Sequence, residues 1–234
     1  MTERLKISFG IGRRFENFLK EKRAKNEGFL KKNKKIMSKK DLLEKLKNLG
    51  FQDYIVRAFE RIDRSRFVPE EERDLSYEDI PLPIGFGQTV SQPRTIAFML
   101  QLLEPAKARK ILEVGSGSGY VLALLSEIAE HALIYGAEII KELAERSRGI
   151  LAGRKNIFIF HAPKKIGLPE YGSFDRILVS ASAKEIPRDL ISQLDQNGVL
   201  VCPVENSIVR VAKKNNKIDK IKEFPGFVFV PLIK

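Results

Sequence analysis

The stretch ILEVGSGSGY, residues 111–120, sets glycines at 115, 117 and 119 directly after a short apolar run. Glycine at such a turn admits positive φ and lets a ligand come close to the backbone. A helix opening just beyond it presents unpaired N–H groups and a positive dipole end, which suit a phosphate or a carboxylate. The spacing is G-x-G-x-G, whereas the dinucleotide fingerprint G-x-G-x-x-G needs its third glycine where Tyr120 stands. Two acids narrow the chemistry. Glu138 follows Gly119 by nineteen residues, at the end of the next apolar run, where a carboxylate can accept from both hydroxyls of a ribose. Glu113 lies inside the first run and points to the glycine turn or a neighbouring strand. A buried carboxylate is costly unless hydrogen-bonded, so Glu113 reads as an organiser of the site. Together Glu113, Gly115, Gly117, Gly119 and Glu138 indicate S-adenosylmethionine rather than NAD. A purely structural turn, and for Glu138 a surface acid at a helix start, are the alternatives.

The elements that must hold these residues follow from periodicity. SKKDLLEKLKNLG reads as a helix begun by Ser38 or Asp41 and stopped at Gly50, with a second helix over 52–62. Residues 66–93 carry four prolines and no regular period, the mark of a functional loop or packed arm. Beyond it, helical spacing at 95–104, 120–130, 139–152 and 187–195 alternates with apolar strands at 110–115, 132–138, 156–162, 174–181 and 197–204. Such alternation means an α/β fold, a parallel sheet with helices on both faces. SIVRVAKK (207–214) and GFVFVPLI (226–233) turn to period two and read as strands at the sheet's edge.

Charge divides the chain. Of the net +12, residues 1–40 hold +10, from 14 Lys and Arg against four Glu. The basicity therefore belongs to an extension, residues 1–37, and the globular domain is placed at 38–234. A solvated tail is the plain reading of the extension; contact with RNA, anionic lipid or a protein partner is the functional one. No apolar run reaches 18 residues and no signal-type segment follows the N-terminal charges, so no transmembrane segment is expected. The single Cys202 fits a reducing cytoplasm. His131 and His161 stand thirty residues apart without ligand spacing, and no metal site is expected.

YEDIPLPIGFGQTVSQP (77–93), LEVGSGSGY (112–120), FDRILVSASAKEIP (174–187) and the closing FVPLIK together resemble the protein-L-isoaspartate O-methyltransferase family. The likeness runs from about residue 40 to the C-terminus, and GFGQTVSQP is its most specific part. It implies a Rossmann-like, S-adenosylmethionine-dependent methyltransferase fold with a mostly parallel sheet of about seven strands. It implies methylation of the α-carboxylate of isoaspartyl residues in damaged proteins or peptides. Independently of the resemblance, a monomer is expected. Ser91, in the family's G-Q-T-[IV]-S motif, would hydrogen-bond the acceptor carboxylate as the catalytic hydroxyl. Gln88 and Thr89 would shape that loop, and the segment FVFVP (227–231), with Val228 and Val230, would lie beside the substrate peptide and offer backbone pairing. Two places depart from the family pattern. Its G-D-G, whose Asp reaches the adenine amino group, is replaced by HAPKKIGLPE (161–170), with no acid before Glu170; its P-V-G-E becomes PVENS (203–207). A methyltransferase-fold binding protein without turnover and a methyltransferase for another acceptor are the competing readings.

Overall fold

A computed structural model describes residues 36–163 and 165–232. The basic extension as read from the sequence lies, up to residue 35, outside the described residues. Helix α1, Lys39–Asn48, opens on a capping box. Ser38 Oγ accepts the Asp41 N–H (3.2 Å) while the Asp41 carboxylate accepts the Ser38 N–H (2.9 Å), so both candidate start residues act together. Helix α2, Asp53–Arg61, packs Ile55, Val56 and Phe59 against the same core as Leu42 and Leu46 of α1. The proline-bearing segment resolves into two 3₁₀ turns, Arg64–Phe67 and Glu70–Leu75, and a hairpin of β1 (Leu82–Gly85) and β2 (Gln88–Val90). Helix α3, Pro93–Leu103, follows with proline in its first turn, where a missing N–H costs nothing.

The remaining chain alternates as expected: β3 (Lys110–Val114), α4 (Tyr120–Ile128), β4 (Leu133–Glu138), α5 (Lys141–Leu151), β5 (Ile157–His161), β6 (Phe174–Val179), α6 (Arg188–Gln193) and β7 (Leu194–Val204). These strands, with β8 (Ser207–Lys214) and β9 (Lys217–Pro225), form one seven-stranded sheet in the order β5-β4-β3-β6-β7-β8-β9. The first five positions run parallel; β8 and β9 are antiparallel additions. Helices cover both faces unequally. Ile111, Ile134, Ile159 and Leu178 pack toward α1 to α5, while Leu112, Val114, Tyr135 and Val179 pack toward α6 and the 162–171 segment. Among the described residues no helix is long and apolar enough to cross a membrane.

The C-terminal end departs from the periodicity reading. The edge strand is β9, KIDKIKEFP, whose residues are exposed apart from the half-buried Phe224. Paired to β8 through its backbone alone, it carries no apolar alternation that a period-two search could find. The alternating GFVFVPLI is not a strand of the sheet. Gly226, at φ +98°, turns the chain away, Phe227 stacks on Phe98 at 5.5 Å between ring centroids, and a lone bridge joins Pro231 to Ser182. Helix α6 also ends two residues early, because Leu194 already belongs to β7.

Candidate active site

Strand order reverses at β3, with β4 on one side and β6 on the other, and the crevice beyond the carboxyl ends there is where open α/β sheets bind ligands. The structure opens a cavity of about 470 Å³ at this point, within the size range of small-molecule sites. Gly115, Gly117 and Glu138 line it. Glu138 is 5% exposed, so it is no surface acid. One carboxylate oxygen accepts the Gly117 N–H at 2.7 Å and the other the Ile140 N–H at 3.0 Å, which locks the acid to the glycine turn. Each oxygen keeps a free lone pair for a further donor. Gly119 lies outside the cavity. At φ +85° it starts α4, and a Cβ there would stand 2.8 Å from Leu151 Cδ1 and 3.1 Å from Ser147 Cβ. Its lack of a side chain lets α4 close on α5.

Glu113 faces a second, smaller cavity of about 30 Å³ that shares Gly115 and Ser180 with the first. It is 1% exposed and accepts the Ser180 hydroxyl at 2.7 Å. Burial, with a smaller push from the nearby Glu138 charge, raises its carboxyl to about 8 against the Ser180 bond. Among the described residues, Glu113 Oε2 and Ser116 Oγ are buried without a hydrogen-bond partner. These two oxygens leave unmet acceptor capacity at the small cavity; an ammonium group would supply donors to both, and its charge would draw the Glu113 carboxyl into its ionised form. The residues present fit the nucleoside of S-adenosylmethionine in the large cavity and its ammonium at the small one, across the shared Gly115 and Ser180.

The hydroxyl loop lies on the far wall. Gln88 and Thr89 line the large cavity and Ser91 the small one. The hairpin tip ahead of them runs through Gly85, Phe86 and Gly87 at φ +93°, +55° and +69°, and it leaves Phe86 57% exposed. Val230 lines the large cavity, and its carbonyl already accepts the Ser182 N–H at 2.7 Å. Val228 stands outside both cavities, 78% exposed.

On the side where the family keeps its acid, the wall is Ala162, Pro163, Lys165, Ile166 and Gly167. Glu170 does not substitute: it is exposed and pairs with Lys165 at 2.6 Å. The segment is pinned from beneath by Gln193, whose amide accepts the Leu168 N–H (2.8 Å) and donates to the Ile166 and Asp189 carbonyls (both 2.9 Å). Sequence reasoning passed over Gln193, Ser116, Ser180 and Arg64, which donates to the Ser91 carbonyl at 3.1 Å. Only Ser180 stands between apolar residues; Arg64, Ser116 and Gln193 have polar or glycine neighbours, and nothing local distinguishes a hydrogen-bonded anchor from a solvent-facing side chain.

Comparison with known proteins bears on the family and the fold. The family described as protein-L-isoaspartate(D-aspartate) O-methyltransferase (PCMT) matches residues 37–234. A protein-L-isoaspartate O-methyltransferase of Thermosipho melanesiensis is 40% identical over 198 residues, 82% of this chain and 100% of that protein. Another of Methanococcoides burtonii is 38% identical, covering 82% and 98%. A Plasmodium falciparum enzyme of that name, solved in complex with S-adenosyl-L-homocysteine, superposes with a TM-score of 0.72 at 29% identity, over 84% of this chain and 99% of that one. Carrying both the glycine turn and the Gln88–Ser91 loop around one cleft, this chain belongs to the protein-L-isoaspartate(D-aspartate) O-methyltransferase family.

Proposed function

We propose that the chain methylates the α-carboxylate of isoaspartyl residues in damaged proteins, with S-adenosylmethionine as donor. The observation that carries this is the pair of cavities meeting at Gly115 and Ser180, with the Ser91 loop across from the glycine turn. The family membership and the relatives named above support it.

When bound, S-adenosylmethionine supplies a methyl group on a sulfonium, transferred in line to a carboxylate oxygen while the sulfonium becomes a neutral thioether. Glu138 and the backbone of Gly115 and Gly117 would hold the nucleoside; Glu113 and Ser116 would take the ammonium. The acceptor carboxylate is already ionised at neutral pH, so no residue has to act as a strong base. What remains is placement and exclusion of water. Ser91 would hold the acceptor by its hydroxyl, while Ile84, Val114, Ala137 and Val230 give the large cavity apolar walls. Opposite charges are neutralised in the transition state, and a dry wall favours that change over the separated ions.

A second reading, binding without turnover, draws on the wall at 162–167, which carries no acid. Labelled-methyl transfer separates the two. Transfer is expected to an isoaspartyl peptide and not to its aspartyl twin, with Ser91→Ala lowering kcat/KM about 100-fold. No transfer to either peptide, with no cofactor binding at millimolar concentration by calorimetry, would favour the second reading.

We further place the enzyme in a reducing, cytoplasmic setting, which the free and buried Cys202 supports. The body is proposed to act as a monomer, and the basic extension to contact RNA, anionic lipid or a protein partner.

A further inference from the structure

Arg64 is the largest fully buried side chain among the described residues, at 0% exposure. No ion pair is formed with it there; its guanidinium donates to backbone carbonyls. Nη1 reaches Ser76 O at 2.9 Å and Glu78 O at 3.3 Å, and Nη2 reaches Ile80 O and Ser91 O, both at 3.1 Å. The group also lies over the Tyr120 ring, Cζ 5.9 Å from its centroid, and Tyr120 is the first residue of α4 after the glycine turn. One side chain therefore touches the approach to the hairpin, the residue just past it and the start of α4, where Tyr120 lines the smaller cavity beside Ser91.

Burial pushes the guanidinium down to about 10, which leaves it charged at neutral pH. A buried charge without a counter-ion persists only where hydrogen bonds compensate it; here Nη1 and Nη2 make four, while Nε is buried without a partner among the described residues. Other contacts already hold the hairpin. Arg146 donates to Ile84 O at 2.6 Å, Asp79 pairs with Lys45 at 2.8 Å, and Leu82 and Ile84 are each 1% exposed. None of these contacts reaches Ser91.

We propose that Arg64 is a positioning residue of the methyl-acceptor site: it ties the 76–80 segment to the Ser91 carbonyl and so fixes where the Ser91 hydroxyl stands. This rests on the reading of Ser91 as the acceptor-binding hydroxyl. A rigid fork is required, because one planar group must serve carbonyls from both ends of the hairpin. Lysine keeps the charge but concentrates its donors at one point.

The test uses the full chain with Arg64→Lys, Arg64→Ala and Ser91→Ala. S-adenosylhomocysteine affinity is read by calorimetry, and kcat and KM with an isoaspartyl peptide. For Arg64→Lys, kcat/KM is expected to fall about 100-fold while S-adenosylhomocysteine affinity stays within about three-fold. Methylguanidinium at tens of millimolar is expected to restore part of the activity of Arg64→Ala, where methylammonium does not. Arg64→Lys within about three-fold of the parent, beside an impaired Ser91→Ala, overturns the positioning role alone. Full activity in Ser91→Ala overturns the reading of Ser91 and this proposal with it. Failure of both Arg64 variants to fold assigns Arg64 to the scaffold and overturns the proposal too.

Discussion

Glu113 sits on β3 where its neighbours on the strand are apolar core residues, and it is buried as deeply as they are. Its carboxyl is raised to about 8, chiefly by burial, from an ordinary value near 4.5. Between those two pH values the folded protein holds a proton that the unfolded chain releases. Stability contributed at this site is therefore greatest below about pH 4.5 and declines as pH rises toward 8. Glutamine keeps an oxygen to accept the Ser180 hydroxyl and carries no titrating proton. The melting temperature of Glu113→Gln relative to the parent is thus expected to rise between pH 5 and pH 8. Parallel melting curves for the two proteins across that range contradict this account of the site. The acid itself was legible from its place in LEVGSGSGY. Its seat in the smaller cavity was not, because the direction of a strand side chain depends on which sheet face its neighbours cover.

At the scale of elements, the β7–β8 turn shows what a departure from the family pattern costs. Glu205 stands where the family carries glycine and adopts φ +50°, a conformation that strains a residue with a Cβ. The turn is tied into the site's surroundings: Glu205 N–H donates to Ala183 O at 3.0 Å, and Ser182 Oγ donates to Glu205 O at 3.0 Å. Glu205→Gly is expected to stabilise the protein by about 0.5–1 kcal/mol, or about 1–4 °C in melting temperature. A thermal melt with no gain, or a loss, places the turn outside that explanation. Elements with their own apolar period were readable from residue types alone: β3 to β6, with helices α3 to α5 between and before them. β9 was not, because an edge strand needs only backbone partners and its exposed residues obey no period. The tail from Phe227 misled for the opposite reason. Phe227 and Phe229 alternate with exposed positions, yet they pack onto the core from a segment outside the sheet.

For the whole molecule, the switch point of the sheet gathers segments far apart in the chain: the hairpin loop, the glycine turn, the end of β4, the 162–167 wall and Val230. The fold and the nucleotide half of the cleft followed from local pattern, because a glycine turn between a strand and a helix is one continuous stretch. The acceptor half joins residues 88–91 to residues near 180 and 230, a juxtaposition that only the topology creates. The most direct test asks whether this cleft holds the nucleotide without the acid its family uses for adenine. Calorimetric titration of the full chain with S-adenosylhomocysteine is expected to give one site of micromolar affinity, weakened at least about ten-fold by Glu138→Ala, which removes two backbone-anchored oxygens from the wall. No binding heat at millimolar ligand, or equal affinity in the variant, contradicts the account.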